Sequence, residues 1–193
     1  MLERIAEWLF DLQCRKGSLC EKQRKLYVYA YNLLISRAIV YMLLLLVGLL
    51  LGNLREMALF LVTFIPLRQY AGGMHFDGAG SCIVASSILI CVSGQYLRCY
   101  PEITLPLFLV WIAAACIIIA LAPIGCTNKK LAPIEQKVYK RRTRIVFCTE
   151  CVVLIVSYLM DCIWSSKSII LAQVVLAVSI ILGWIKGKNL TWG

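Results

Sequence analysis

The sequence predicts an all-α, polytopic membrane protein: about six transmembrane helices plus an N-terminal amphipathic interfacial helix. Three observations predict it. Hydrophobic residues make up 61% of the 193, charged residues only 16%, and mean hydropathy is +0.82. A soluble domain averages nearer half apolar and a quarter charged, so a soluble core, a disordered chain and a collagen-like repeat are excluded. Long apolar runs recur along the chain, and the basic residues gather in a few segments between them. The whole of 1–193 reads as a single integral membrane domain.

Residues 1–30 form an amphipathic and basic N-terminal segment. Leu2, Ile5, Leu9 and Leu12 recur at helical spacing beside Trp8 and Phe10, while Glu3, Arg4, Glu7 and Asp11 take other faces. Such a helix lies on the inner membrane surface; one packed on a bundle has the same pattern. No signal peptide is expected, because a charged segment precedes the first apolar run and no small-residue cleavage site follows a short core.

The apolar runs are 33–51, 54–67, 82–97, 105–123, 145–163 and 168–185. Crossing a hydrocarbon core of about 30 Å takes roughly 20 helical residues. Five runs come near that length, and 54–67 falls short. Charge placement decides its status, because Lys and Arg accumulate on the cytoplasmic side. Arg4, Arg15, Lys16, Lys22, Arg24 and Lys25 precede the first run. Lys129, Lys130, Lys137, Lys140, Arg141, Arg142 and Arg144 fall in 126–144, and Lys186 and Lys188 come after the last run. Six crossings put all three clusters on one side, together with Arg68. Five would strand the middle cluster outside. The second helix is therefore expected over 54–71, with Arg55, Glu56, Arg68 and Gln69 snorkelling at its ends. Both termini are then cytoplasmic, and 126–144 is a basic cytoplasmic loop. The net charge of +10 is accounted for by topology, and no nucleic-acid partner is expected. Gly52-Asn53, Pro101 with Pro106, Pro123 with Gly125, and Pro133 mark the turns.

Ten cysteines would suggest a disulfide framework in a small secreted chain. Here most fall in apolar runs or on the cytoplasmic side, where disulfides are rare and a buried thiol acts as a small hydrophobe. Cys148 and Cys151 form a CxxC without a second pair or a nearby histidine, so no zinc site is expected. Glu150 and Asp161 are acids within or near the ends of the fifth run and so functional candidates by default, but Glu150 is one turn from the basic end and can equally snorkel or pair with Arg68 or Arg144.

His75 is the one histidine. It stands in a stretch with four glycines between Gly72 and Gly80, a backbone able to turn tightly and to approach a ligand closely. Cys82 opens the third apolar run with Ser81 as its expected N-cap. A helix N-terminus and a neighbouring imidazole both favour the reactive thiolate. On a continuous helix His75 and Cys82 would be about 10 Å apart, too far for proton transfer. The glycines permit a loop that folds His75 back over Cys82. Of the ten cysteines, Cys82 has the best environment for a nucleophile. Asp77 is a candidate to orient His75. Cys82, Ser86 and Ser93 share one helix face, a small-residue stripe of the packing kind. A metal site on His75, Asp77 and Cys82 lacks a further histidine, so neither metal nor cofactor is expected.

The string Arg68-x-x-x-Gly72-Gly73-x-His75, then Cys82 between hydrophobic helices, resembles the AgrB family (accessory gene regulator protein B). These are bacterial membrane cysteine endopeptidases that process a quorum-sensing propeptide. The resemblance covers nearly the whole chain. It implies that His75 and Cys82 are the catalytic dyad, with Arg68 and Gly73 required near them. It also implies an AgrD-type propeptide as substrate, a thioester on Cys82, thiolactone or lactone closure, a homodimer, and a site at the cytoplasmic face of the bacterial cell membrane. Substrates of the family carry an acidic C-terminal tail, for which Lys137, Lys140, Arg141, Arg142 and Arg144 are the expected binders. The competing classes are a small transporter, which would need a polar path through several spans, and a non-enzymatic membrane interaction protein.

Overall fold

The computed structural model describes residues 2–15, 21–74, 79–100, 102–124 and 133–189. Seven α-helices account for most of them: α1 Leu2–Arg15, α2 Arg24–Leu51, α3 Leu54–Ala71, α4 Ala79–Cys99, α5 Leu105–Leu121, α6 Pro133–Leu159 and α7 Ile163–Asn189. A short 3-10 turn, Glu21–Gln23, leads into α2. No strand occurs among the described residues.

Helix α1 packs on the start of α2. Ala6 and Phe10 are fully buried, Phe10 lies against Tyr27 with ring centroids 6.3 Å apart, and Arg24 pairs with Asp11 at 3.3 Å. Tyr31 Oη donates to Gln13. The buried face is therefore Ala6–Phe10, one step round from the leucine stripe. Ile5, Trp8 and Leu12 stay exposed, an apolar face available to a membrane surface.

Helices α2 and α3 form a tight hairpin. Gly52 ends α2 in the left-handed region (φ 71°), where glycine carries no Cβ penalty. Gly48 lets α3 approach: a Cβ there would stand 3.0 Å from Met57 Cβ and 3.2 Å from Leu54 Cα. Helix α4 then runs parallel to α2. Its far end meets the hairpin turn, because Asn53 Nδ2 donates to the Gly94 carbonyl at 2.8 Å and Gly94 faces Val47 and Leu51.

Helix α7 is the central post, buried at every residue from 165 to 173 and packed on α3, α5 and α6. Its buried Lys167 and Gln173 are satisfied by neighbouring helices. Lys167 Nζ donates to the Leu97 and Tyr100 carbonyls at 2.7 and 3.0 Å, so it caps the C-terminus of α4, where a cation suits the helix dipole. Trp111 Nε1 donates to Gln173 Oε1 at 2.6 Å, and Gln173 Nε2 to Glu150 Oε2 at 3.0 Å. Glu150 thus finds an amide on α7 instead of the expected Arg68 or Arg144. It sits more than a turn past the basic stretch and faces the bundle.

Among the described residues, three helices are long and apolar enough to cross a membrane: Arg24–Leu51, Gly80–Cys99 and Ile163–Lys186. That is fewer than the six expected, for reasons visible in each remaining helix. Helix α5 is a shorter apolar helix, Leu105–Leu121. Helix α3 carries Arg55, Glu56 and Arg68 within 18 residues, and α6 begins with basic turns. The outward surface is that of a chain among lipids, with Leu34, Met42 and Leu50 each about two-thirds or more exposed on α2.

Candidate functional site at the end of α3 and the start of α4

Arg68 lies in the last turn of α3, and the helix closes with Gly72 N donating to the Arg68 carbonyl at 3.2 Å. The chain then leaves in a conformation that requires glycine twice: φ is 75° at Gly72 and 128° at Gly73. Space forbids a side chain as firmly as φ does. A Cβ on Gly72 would collide with the Ile124 carbonyl, and one on Gly73 with the Arg68 guanidinium and Ser179 Oγ.

The short segment 72–74 is held from every side. The Arg68 guanidinium donates to the carbonyls of both Gly72 and Met74, a fork that suits arginine geometry. Ile124, just past α5, donates its N–H to the Ala71 carbonyl at 3.0 Å, forming a parallel bridge with Gly72. Met74 N donates to the Ser179 carbonyl of α7 at 2.9 Å. Gly183, one turn further along α7, leaves the room: a Cβ there would sit 2.7 Å from Gly73 C and 2.8 Å from Met74 N. The result is an extended stretch of backbone wedged between α5 and α7 and pinned by Arg68. His75 is the next residue. His75 and Asp77 both lie outside the described residues.

The described chain resumes at α4. This helix begins at Ala79, so Ser81 lies inside its first turn instead of capping it. Ala79 is a strong helix former ahead of Gly80, and it extends the helix past the polar residue that resembled a cap. Ser81 and Gly80 are exposed, and Gly80 has open space around it. Cys82 is the fourth residue of the helix and its thiol is free and half-buried. By register Cys82 shares a face with Ser93, which is buried. None of the described cysteines forms a disulfide.

Lys137, Lys140, Arg141, Arg142 and Arg144 are exposed, and all lie on the first turns of α6. The part of 126–144 that is described, from Pro133 on, is therefore helical and not a loop. Pro133 is well placed as a first helical residue, and no glycine or further proline interrupts the helix after it. Lys129 and Lys130 lie outside the described residues. Arg142 sits over the Tyr70 ring, 5.5 Å from its centroid, and Tyr70 packs near Tyr139. The basic turns are thereby tied to α3 two residues after Arg68. Sequence reasoning missed Ser179, Gly183 and Ile124. An isolated glycine inside an apolar helix was the one available signal for Gly183.

An all-α chain of apolar helices, with a Gly-Gly segment clamped by Arg68 between α5 and α7, is of the class of membrane proteins. A family model for accessory gene regulator B matches residues 2–185, and the chain belongs to that family. Membership points to quorum-sensing peptide processing. Comparison with curated proteins gives no match, and comparison with solved structures gives none either.

Proposed function

We propose that the protein is a membrane-embedded cysteine endopeptidase that removes the C-terminal tail of an AgrD-type precursor and supports closure of the remaining peptide into a ring. The observation that carries this reading is the Arg68 clamp, which fixes Gly72–Met74 against α7 and so sets where the chain enters His75. Family membership over residues 2–185 supports the same reading.

His75 takes the proton from the Cys82 thiol, and the thiolate attacks a precursor carbonyl carbon. The N–H groups in the first turn of α4 point out of the helix end and are suited to the oxyanion. The C–N bond breaks, His75 returns its proton to the leaving amine, and the tail departs. The peptide stays on Cys82 as a thioester. A thiol or hydroxyl of the same peptide then attacks that thioester, forming the ring bond and releasing the Cys82 thiol. The thioester conserves acyl reactivity, so closure needs no ATP, but it does need water kept away.

Six crossings with both termini in the cytoplasm remain the topology we favour, with the charged residues at the ends of α3 and α6 snorkelling. Under it Arg68 and the basic turns of α6 share the cytoplasmic side. Lys137, Lys140, Arg141, Arg142 and Arg144 then receive the acidic tail, and Asp77 orients His75. Two copies form a dimer. The test is tail release from an AgrD-type precursor by protein in lipid. Cys82→Ala and His75→Ala should abolish release, and EDTA should leave it unchanged. Release by Cys82→Ala at the wild-type rate refutes the mechanism.

A further inference from the structure

Helices α5 and α6 follow one another in the chain, yet each packs on α7 and they hardly touch one another. At the end where α5 begins and α6 finishes, a cavity of about 580 Å³ lies between them. That volume is within the roughly 300–1,000 Å³ typical of small-molecule pockets. Leu154 and Ile170, both buried, line it, together with Trp111. Phe108 and Ile155 are exposed walls. Thr104, the N-cap of α5, and Tyr158, in the last turn of α6, line it too, and both are exposed. The catalytic reading makes no use of this cavity. Ile124, which bridges to Gly72, lies beyond the opposite end of α5.

The chemistry of the walls selects the occupant. A peptide brings N–H and C=O groups that must be paired away from water. The indole N–H of Trp111 already donates to Gln173, so the deep walls offer a peptide no side-chain partner. A helix from a second copy would approach closely over small residues, as helices in membranes do. The walls here carry Leu105, Phe108, Ile155 and Leu159 instead. The chain's own loops at this end, 100–104 and 160–162, are short, and Ile103 and Thr104 already form part of the wall. An acyl chain needs no hydrogen bond and threads between large apolar side chains. Hydroxyl-bearing residues at the helix ends suit the polar end of the same molecule, as tyrosine does at a membrane interface.

We propose that the α5–α6 cavity binds one phospholipid molecule by an acyl chain, with Thr104 and Tyr158 meeting its ester or headgroup oxygens. The lipid fills space that neither helix fills itself and so joins α5 to α6. Under six crossings it belongs to the leaflet facing away from the cytoplasm.

The test places the photo-crosslinker p-benzoylphenylalanine at Ile155, and for comparison at Leu50, also exposed and at the same end of the bundle on α2. Each protein is irradiated in phosphatidylglycerol vesicles, with and without an AgrD-type precursor, and its adducts are read by intact mass and by gel. The expected result is a phospholipid adduct at 155 about fivefold or more above that at 50, the excess of a site over bulk lipid. Ile170→Trp fills the cavity and should bring the adduct at 155 down to the level at 50. Leu105→Trp fills it from an exposed position and decides the matter should Ile170→Trp not fold. Equal adducts at 155 and 50 overturn the proposal, as does an adduct at 155 that the folded filling variants leave unchanged, since the contact is then that of bulk lipid. Preferential capture of a second chain, or of the precursor, at 155 overturns it too, because that molecule is then the occupant.

Discussion

Arg68 is where residue chemistry and site geometry meet. Its planar fork reaches two carbonyls at once, and a lysine cannot reproduce that. Arg68→Lys should therefore cut tail release by about tenfold to a hundredfold while Cys82 stays alkylable, since misplacing a catalytic group by about 1 Å costs that much. Gly73→Ala should be at least as damaging, because φ is 128° and the added methyl meets both Arg68 and Ser179. Gly80→Ala is the matched control. Nothing surrounds that position, and alanine is favoured over glycine in a helix by about 1 kcal/mol. Its release rate should equal wild type and its Tm should not fall. From sequence alone Arg68 was one more positive-inside residue, and only the family resemblance marked it as needed. The two carbonyls it holds belong to backbone, which carries no sequence signal.

At the scale of the element, the site is a seam between α3, α5 and α7. Gly183→Ala places a methyl against the backbone of Gly73 and Met74, so it should lower release sharply and also cost about 1–3 kcal/mol of stability. Lys167→Met acts on the fold alone. It removes the buried donor to the last carbonyls of α4, and a loss of about 1–2 kcal/mol in unfolding free energy is expected, read by denaturant titration. The helix over 54–71 was visible in the sequence because charge placement demanded a crossing there. The helical start of α6 was not, because clustered Lys and Arg look like a loop whatever the backbone does. Ser179 and Gly183 lie more than a hundred residues from the segment they support, and no local pattern connects them. The burial of Ala6 and Phe10 was hidden for a related reason: an amphipathic stripe does not say which neighbour covers it.

For the whole molecule, apolar runs and basic clusters sufficed to place all six long helices after α1, and they misjudged mainly how the polar ones reach the core. Glu150 and Lys167 are satisfied within the bundle, Glu150 by Gln173 and Lys167 by the last carbonyls of α4. The basic turns of α6 give the molecule one strongly positive end. Lys137→Glu combined with Arg141→Glu should raise KM for precursor several-fold at low salt and less at high salt, because exposed charges are screened. A KM that ignores both the reversal and the salt would leave those residues to topology alone.

The central claim is an acyl-enzyme on Cys82, and intact-mass spectrometry reads it directly. Wild-type protein in lipid, mixed with an AgrD-type precursor and quenched in acid, should gain the mass of the tail-less peptide. Hydroxylamine should remove that adduct, fragmentation should map it to Cys82, and Cys82→Ala should not form it. Tail release without any hydroxylamine-sensitive adduct, or with an adduct on another cysteine, would contradict the account.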